Sequence, residues 1–97
     1  MSINPPPTAA VVSLLALPRH QFARVVRVDE RSPNDRVTRR LCELGFVPGE
    51  TVSLVATGPV GADPVLIQVG YTRFALRRTE AERVRVQLLA QQQAPQQ

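Results

Sequence analysis

The sequence predicts a mainly β domain: a small, partly open barrel of about five short strands, with one short helix after the first strand. Three observations predict it. Short runs of Val, Leu and Ile alternate with polar residues at the period of a strand. Gly, Pro, Asn and Asp cluster between those runs, where turns belong. One segment alone carries apolar residues at helical spacing before a glycine stop. With three Phe, one Tyr and no Trp among 97 residues, the core must be built from β-branched and leucine side chains. Closing the sheet on itself limits exposed edges.

Composition divides the chain into three segments. Residues 1–11 contain "NPPPT" and read as a flexible Pro-rich arm, because proline fixes φ and removes donors. Residues 12–89 form the folded domain. Residues 90–97 are Gln-rich and polar, and read as a disordered tail.

Within the domain, Ser13 to Leu17 is a short apolar lead-in and Pro18 to Gln21 a turn. "FARVVRV", Phe22 to Val28, is the first strand, and its imperfect alternation leaves open which face meets the core. "DERSPND" is a polar loop, and Asn34 or Asp35 caps the helix that follows. Val37, Leu41 and Leu44 form its narrow apolar stripe. Gly45 ends the helix in a left-handed conformation, with Phe46 folding back on the last turn. Pro48-Gly49 fits the centre of a type II turn. "ETVSLVAT" is the second strand and "GPVGADP" a Gly/Pro loop. "VLIQVG" and "RFALRR" are the next two strands, joined by a turn at Gly70 to Thr72. Thr79 and Glu82 have capping-box spacing for a single helical turn. "RVRVQLL" closes the sheet, with Val84, Val86 and Leu88 inward.

Little in the composition points to catalysis. There is one His, one Cys and no Lys, which excludes a nucleotide-binding P-loop. At 100° per residue, Cys42 lies about 130° from the centre of the apolar stripe, on the solvent side. No His or Cys stands three or four residues from it, so a structural zinc site has no ligand set there. His20, the sole imidazole, is the candidate ligand for a divalent metal, zinc or iron, with the other ligands unassigned. A single Cys forms no intrachain disulfide and suits a reducing compartment. The run Ala9 to Leu17 is shorter than the ~20 residues that span a bilayer. The chain therefore reads as cytoplasmic, without membrane insertion. Twelve Arg against eight acids give a net charge of +4. That charge opens one alternative, a small basic β-barrel that binds RNA or DNA. The few aromatics, Phe22, Phe46, Tyr71 and Phe74, argue against it, because such barrels stack bases on exposed rings.

The ordered set "RRLCELGFVPGETVSLV", "GPVGADP" and "GYTRFALRRTEAERVRV" resembles the FeoA family, small bacterial SH3-like proteins of ferrous iron uptake. Arg40, Leu41, Leu44, Gly45, Pro48 and Gly49 carry the first part of the likeness. Pro59, Gly61, Asp63 and Pro64 carry the loop, and Leu76, Arg77 and Ala81 the end. Ala62 reads as an insertion before the loop aspartate, and His20 stands where the family has a turn glycine. Histidine is among the non-glycine residues enriched at positive φ. The resemblance implies a non-enzymatic accessory protein with no required cofactor and no small-molecule substrate. A divalent metal would be adventitious or regulatory. The implied partner is the cytoplasmic side of FeoB, a ferrous iron transporter. The expected contact surface is the polar helix face, Arg36, Arg39, Arg40 and Glu43, with Pro59, Gly61 and Asp63 of the 58–64 loop.

Overall fold

The computed structural model describes residues 10–89. The expected arm falls outside them up to residue 9, and the expected tail, 90–97, falls outside them entirely. The elements are β1 (Val11–Ser13), β2 (Phe22–Val28), α1 (Arg36–Leu44), β3 (Thr51–Val60), β4 (Asp63–Val69), β5 (Thr72–Leu76), α2 (Arg78–Ala81) and β6 (Val84–Leu88). A 3₁₀ turn over Leu14–Ala16 follows β1. The six strands form one antiparallel sheet in the order β1-β6-β2-β3-β4-β5. Val12 of one edge strand and Phe74 of the other pack on the same core, so the sheet curls around it. The mainly β, barrel-like class read from the sequence holds.

Three details differ from the sequence reading, each for a local reason. A sixth strand, β1, precedes the five expected. It is only three residues long, too short to show a period, and it pairs Val11, Val12 and Ser13 with Gln87, Val86 and Arg85. Ser13 ends it: its Oγ accepts the Leu15 N–H at 3.1 Å and donates to the Glu82 carbonyl at 3.1 Å. The expected "GPVGADP" loop is instead a tight hairpin. β3 runs to Val60, β4 starts at Asp63, and Gly61 and Ala62 (φ 64° and 59°) make the two-residue turn. Positive φ at both central residues matches the twist of paired strands. Ala62 is thus the second turn residue. Gly58 lies inside β3, where a Cβ would stand 2.5 Å from the Asp63 carbonyl oxygen. The third difference is α2, whose N-cap is Arg77, two residues before the Thr79 of the expected box. Glu80 Oε1 accepts the Arg77 N–H at 3.2 Å, and Asp63 Oδ1 accepts the Arg78 N–H at 3.0 Å. Carboxylates therefore satisfy the helix's first free donors before Thr79 is reached.

The open question about β2 is also resolved. Ala23 and Val25 are buried, and a register shift between Val25 and Arg27 turns the strand so that Val28 packs against the core as well. A bulge of this kind places two residues opposite one, which breaks the alternation.

Helix α1 is fixed at both ends. Asp35 is its N-cap, with Oδ1 accepting the N–H groups of Val37 (2.9 Å) and Thr38 (3.3 Å). Its Oδ2 accepts the Arg31 N–H at 2.9 Å and a hydrogen bond from the Arg83 guanidinium. At the other end the Gly45 N–H reaches the Cys42 carbonyl (3.1 Å) and the Phe46 N–H the Leu41 carbonyl (3.0 Å). This is a Schellman closure, with Gly45 at φ 116°. Its hydrophobic pair, Leu41 and Phe46, is fully buried. Pro48 and Gly49 (φ 93°) then turn the chain, the Glu50 N–H bonding the Val47 carbonyl at 3.0 Å. That turn is stitched to β2, because Gly49 donates to the Val25 carbonyl (2.8 Å) and Val25 to the Glu50 carbonyl (2.9 Å). Leu44 and Val37 are half-buried against the core, and Cys42 is exposed, as the helical wheel predicts.

Two outcomes follow. Leu41→Ala removes a side chain at the centre of this closure and lowers stability by about 2–5 kcal/mol in urea unfolding. Cys42→Ser, on the solvent side, changes it by no more than about 0.5 kcal/mol. The Asp35 carboxyl is pulled down to about 2, first by the Arg31 N–H and then by the Thr38, Arg83 and Val37 donors, against the opposing effect of burial. A depressed pKa stabilises the fold fully above the ordinary carboxylate range, and that contribution disappears as pH falls through about 2. Melting curves across this acid range should show the wild type losing stability steeply. Asp35→Asn should start lower and lose less.

Candidate functional site

Of the seven contact residues expected from the sequence, the fold brings Arg40 and Asp63 together on one cleft. Arg36, Arg39 and Glu43 are exposed on the solvent face of α1. Arg40 lies on the flank of that face and reaches across to α2, its Nη1 2.8 Å from Glu80 Oε2. Pro59 and Gly61 are exposed on the β3–β4 hairpin, and Asp63 at its base is tied to α2 through the Arg78 N–H. Arg40 and Asp63 border a single cleft of about 510 Å³. Its other walls include Pro64, Leu76, Arg77 and Glu80. The cleft thus joins the helix patch to the hairpin patch, while Arg36, Arg39, Glu43, Pro59 and Gly61 stand outside its lining.

Arg77 and Glu80 are the site residues that sequence reasoning missed. Arg77 is visible as part of the terminal motif, one residue after Leu76, but nothing in the chain order shows that it lines one cleft with Arg40. Glu80 was hidden by the Thr79–Glu82 spacing, which pointed to the wrong residue as the capping carboxylate.

A second charged cluster lies at the end of the β2–β6 pair. Arg27 and Arg85 are cross-strand partners, a repulsive pairing on its own. Asp29 sits between them, with Oδ1 3.0 Å from Arg27 Nε and Oδ2 2.7 Å from Arg85 Nε. The Arg85 hydrogen bond, more than the Arg27 one, holds the Asp29 carboxyl below its ordinary range. Every charge here has a partner, so the cluster secures strands rather than offering a site.

His20 is exposed at the third position of a turn closed by the Gln21 N–H and the Pro18 carbonyl (3.2 Å). Its φ of 66° is the left-handed conformation that a turn glycine would take. Its N–H bonds the Leu54 carbonyl at 2.8 Å, which anchors the turn to β3. Among the described residues no group of three or more His, Cys, Asp or Glu side chains could hold a metal ion. No helix of the described residues is long and apolar enough to cross a membrane.

Comparison with known proteins agrees with this architecture. The FeoA domain family model matches residues 12–88. The crystal structure of Stenotrophomonas maltophilia FeoA complexed with zinc, described as a prokaryotic SH3 domain protein, is 56% identical with a TM-score of 0.70. That match covers 77% of this chain and 88% of the other. FeoA from Chlorobium tepidum is 33% identical with a TM-score of 0.70, covering 81% of this chain and 71% of that one. A Porphyromonas gingivalis protein named as a fusion of Fe(2+) transport protein A and the Fe(2+) transporter FeoB is 34% identical over 68 residues. That segment is 70% of this chain and only 8% of the fusion protein. The six-stranded SH3-like sheet, the Leu41–Gly49 corner and the family match over residues 12–88 lead to one conclusion: this chain belongs to the FeoA family.

Proposed function

We propose that this chain is a non-enzymatic accessory protein of bacterial ferrous iron uptake that binds the cytoplasmic side of a FeoB-type transporter. The observation that carries the reading is the fusion protein, in which a segment 34% identical to this chain is joined to FeoB. Fusion holds two domains at a high effective concentration, which suits partners that work in contact. The docking face is the solvent side of α1 with the β3–β4 hairpin: Arg36, Arg39, Arg40, Glu43, Pro59, Gly61 and Asp63. Three exposed arginines on one helix face give it directional charge, which sets encounter rate and orientation more than bulk affinity. The reading needs no cofactor. His20 offers one exposed imidazole, so a divalent ion such as zinc or iron held there would draw its remaining ligands from a second molecule.

A pull-down from bacterial membranes, with and without ferrous iron and guanine nucleotide, tests the partner. The transporter should be retained by the wild-type chain. Arg39→Glu should weaken retention by about tenfold, equivalent to 1.4 kcal/mol, with its melting temperature unchanged because Arg39 makes no ion pair among the described residues. No retention of either the soluble or the membrane-embedded part at high micromolar concentration would refute the reading.

A further inference from the structure

We propose that the cleft between α1, α2 and the base of the β3–β4 hairpin is a receptor for an acidic peptide segment of a partner protein. A carboxylate side chain of that segment lies between Arg77 and Arg40, and an apolar neighbour lies on Pro64 and Ala75. As a feature of the transporter complex, this inference rests on the docking reading above. The chemistry of the cleft stands apart from it.

Spare hydrogen-bond capacity in the cleft selects the ligand. Four charged side chains border the cleft, two of each sign. The carboxylates are largely committed. Glu80 accepts Arg40 Nη1 through Oε2 and the Arg77 N–H through Oε1. Asp63 accepts the Arg78 N–H through Oδ1. The guanidiniums are not committed to the same degree. Arg40 is half exposed and spends Nη1 on Glu80, leaving further N–H donors of its planar fork. Arg77 is exposed and makes no ion pair among the described residues. The spare capacity is therefore mostly donor, arranged on planar groups that match a carboxylate in two-point contact.

Size and surroundings narrow the ligand. A cleft of about 510 Å³ takes one or two side chains. Its small apolar wall is formed by the exposed Pro64 and Ala75, which flank the buried Leu76. Glu80 and Asp63 would oppose a dianionic phosphate more than a singly charged Asp or Glu. Arg36, Arg39 and Arg78 stand outside the lining but are exposed and close in sequence to Arg40 and Arg77, and their charge favours the approach of an acidic segment.

The test is a titration of the ¹⁵N-labelled full chain with the capped peptide acetyl-Leu-Asp-Glu-Leu-amide, followed by NMR. Saturable shifts should centre on Ala75, Arg77 and Glu80. The matched peptide acetyl-Leu-Asn-Gln-Leu-amide should bind about tenfold more weakly or worse. Arg77→Glu should abolish the shifts and Arg77→Gln should reduce them, both with native spectra. Arg24→Glu, on the outer face of β2, should leave them intact. No saturation at millimolar peptide, equal binding of the amide peptide, or shifts centred on Phe22 and Arg24 would overturn the proposal. So would a single-stranded oligonucleotide that shifts the same amides at lower concentration than the peptide. If membranes yield the transporter equally to wild type and Arg77→Glu, the cleft assignment falls and the docking reading stands. If wild type retains no transporter, the docking reading falls and the peptide titration still judges the cleft.

Discussion

The fold depends on how one carboxylate is used. Asp35 is the point where the loop after β2, the start of α1 and the approach to β6 are tied together. One oxygen caps the helix, and the other takes the Arg31 N–H and the Arg83 guanidinium. Both Asp35 and Arg83 are nearly withdrawn from water, so neither is a surface pair of negligible worth. Without that anchor the first turn of α1 would be held by the half-buried Val37 and by the Thr38 hydroxyl, which donates to the Asp29 carbonyl at 3.2 Å. A nine-residue helix is marginal by itself, and its position comes from what grips it.

The grip at the N-terminus works with the closure at the other end. Leu41 and Phe46 seal the last turn, and the Pro48-Gly49 turn is bonded to β2, so the corner between α1 and β3 has little freedom. A helix clamped in this way presents Arg36, Arg39 and Glu43 to solvent and swings Arg40 toward α2. On the far side, Asp63 begins β4 and bonds the first turn of α2. The same short helix therefore meets both patches, through Glu80 on Arg40 and through Arg78 on Asp63. The candidate docking face is a product of the core packing beneath it. Its charges sit where they do because the helix cannot roll.

Much of this was legible in the sequence, and the limits were physical. The Val37, Leu41, Leu44 stripe, the Gly45 stop and the Pro48-Gly49 turn read directly, since each is a local preference of a few residues. His20 at positive φ followed from the family resemblance, which places a glycine at that turn position. β1 was not, because three residues carry no period and its pairing with β6 spans most of the chain. The β3–β4 hairpin was hidden by glycine and proline inside a strand, where Gly58 serves close backbone approach rather than a loop. Asp35 appeared as a cap, but its bond to Arg83, 48 residues away, could not be read from local order. The cleft was invisible for the same reason, since Arg40, Asp63, Arg77 and Glu80 come from three separate stretches. Arg40, Asp63 and Arg77 stand out in the sequence through the family motifs, Glu80 does not, and their meeting belongs to the topology.

In the proposed complex, the side of the fold bearing α1, α2 and the β3–β4 hairpin faces the partner. Amide hydrogen exchange of the full chain, with and without the cytoplasmic GTP-binding domain of a FeoB-type transporter, tests it most directly. Added protection is expected in α1, at the hairpin turn around Gly61 and at Ala75 to Glu80, with the outer face of β2 unchanged. Protection confined to the outer face around Phe22 and Arg24, with none on α1 or the hairpin, would contradict it.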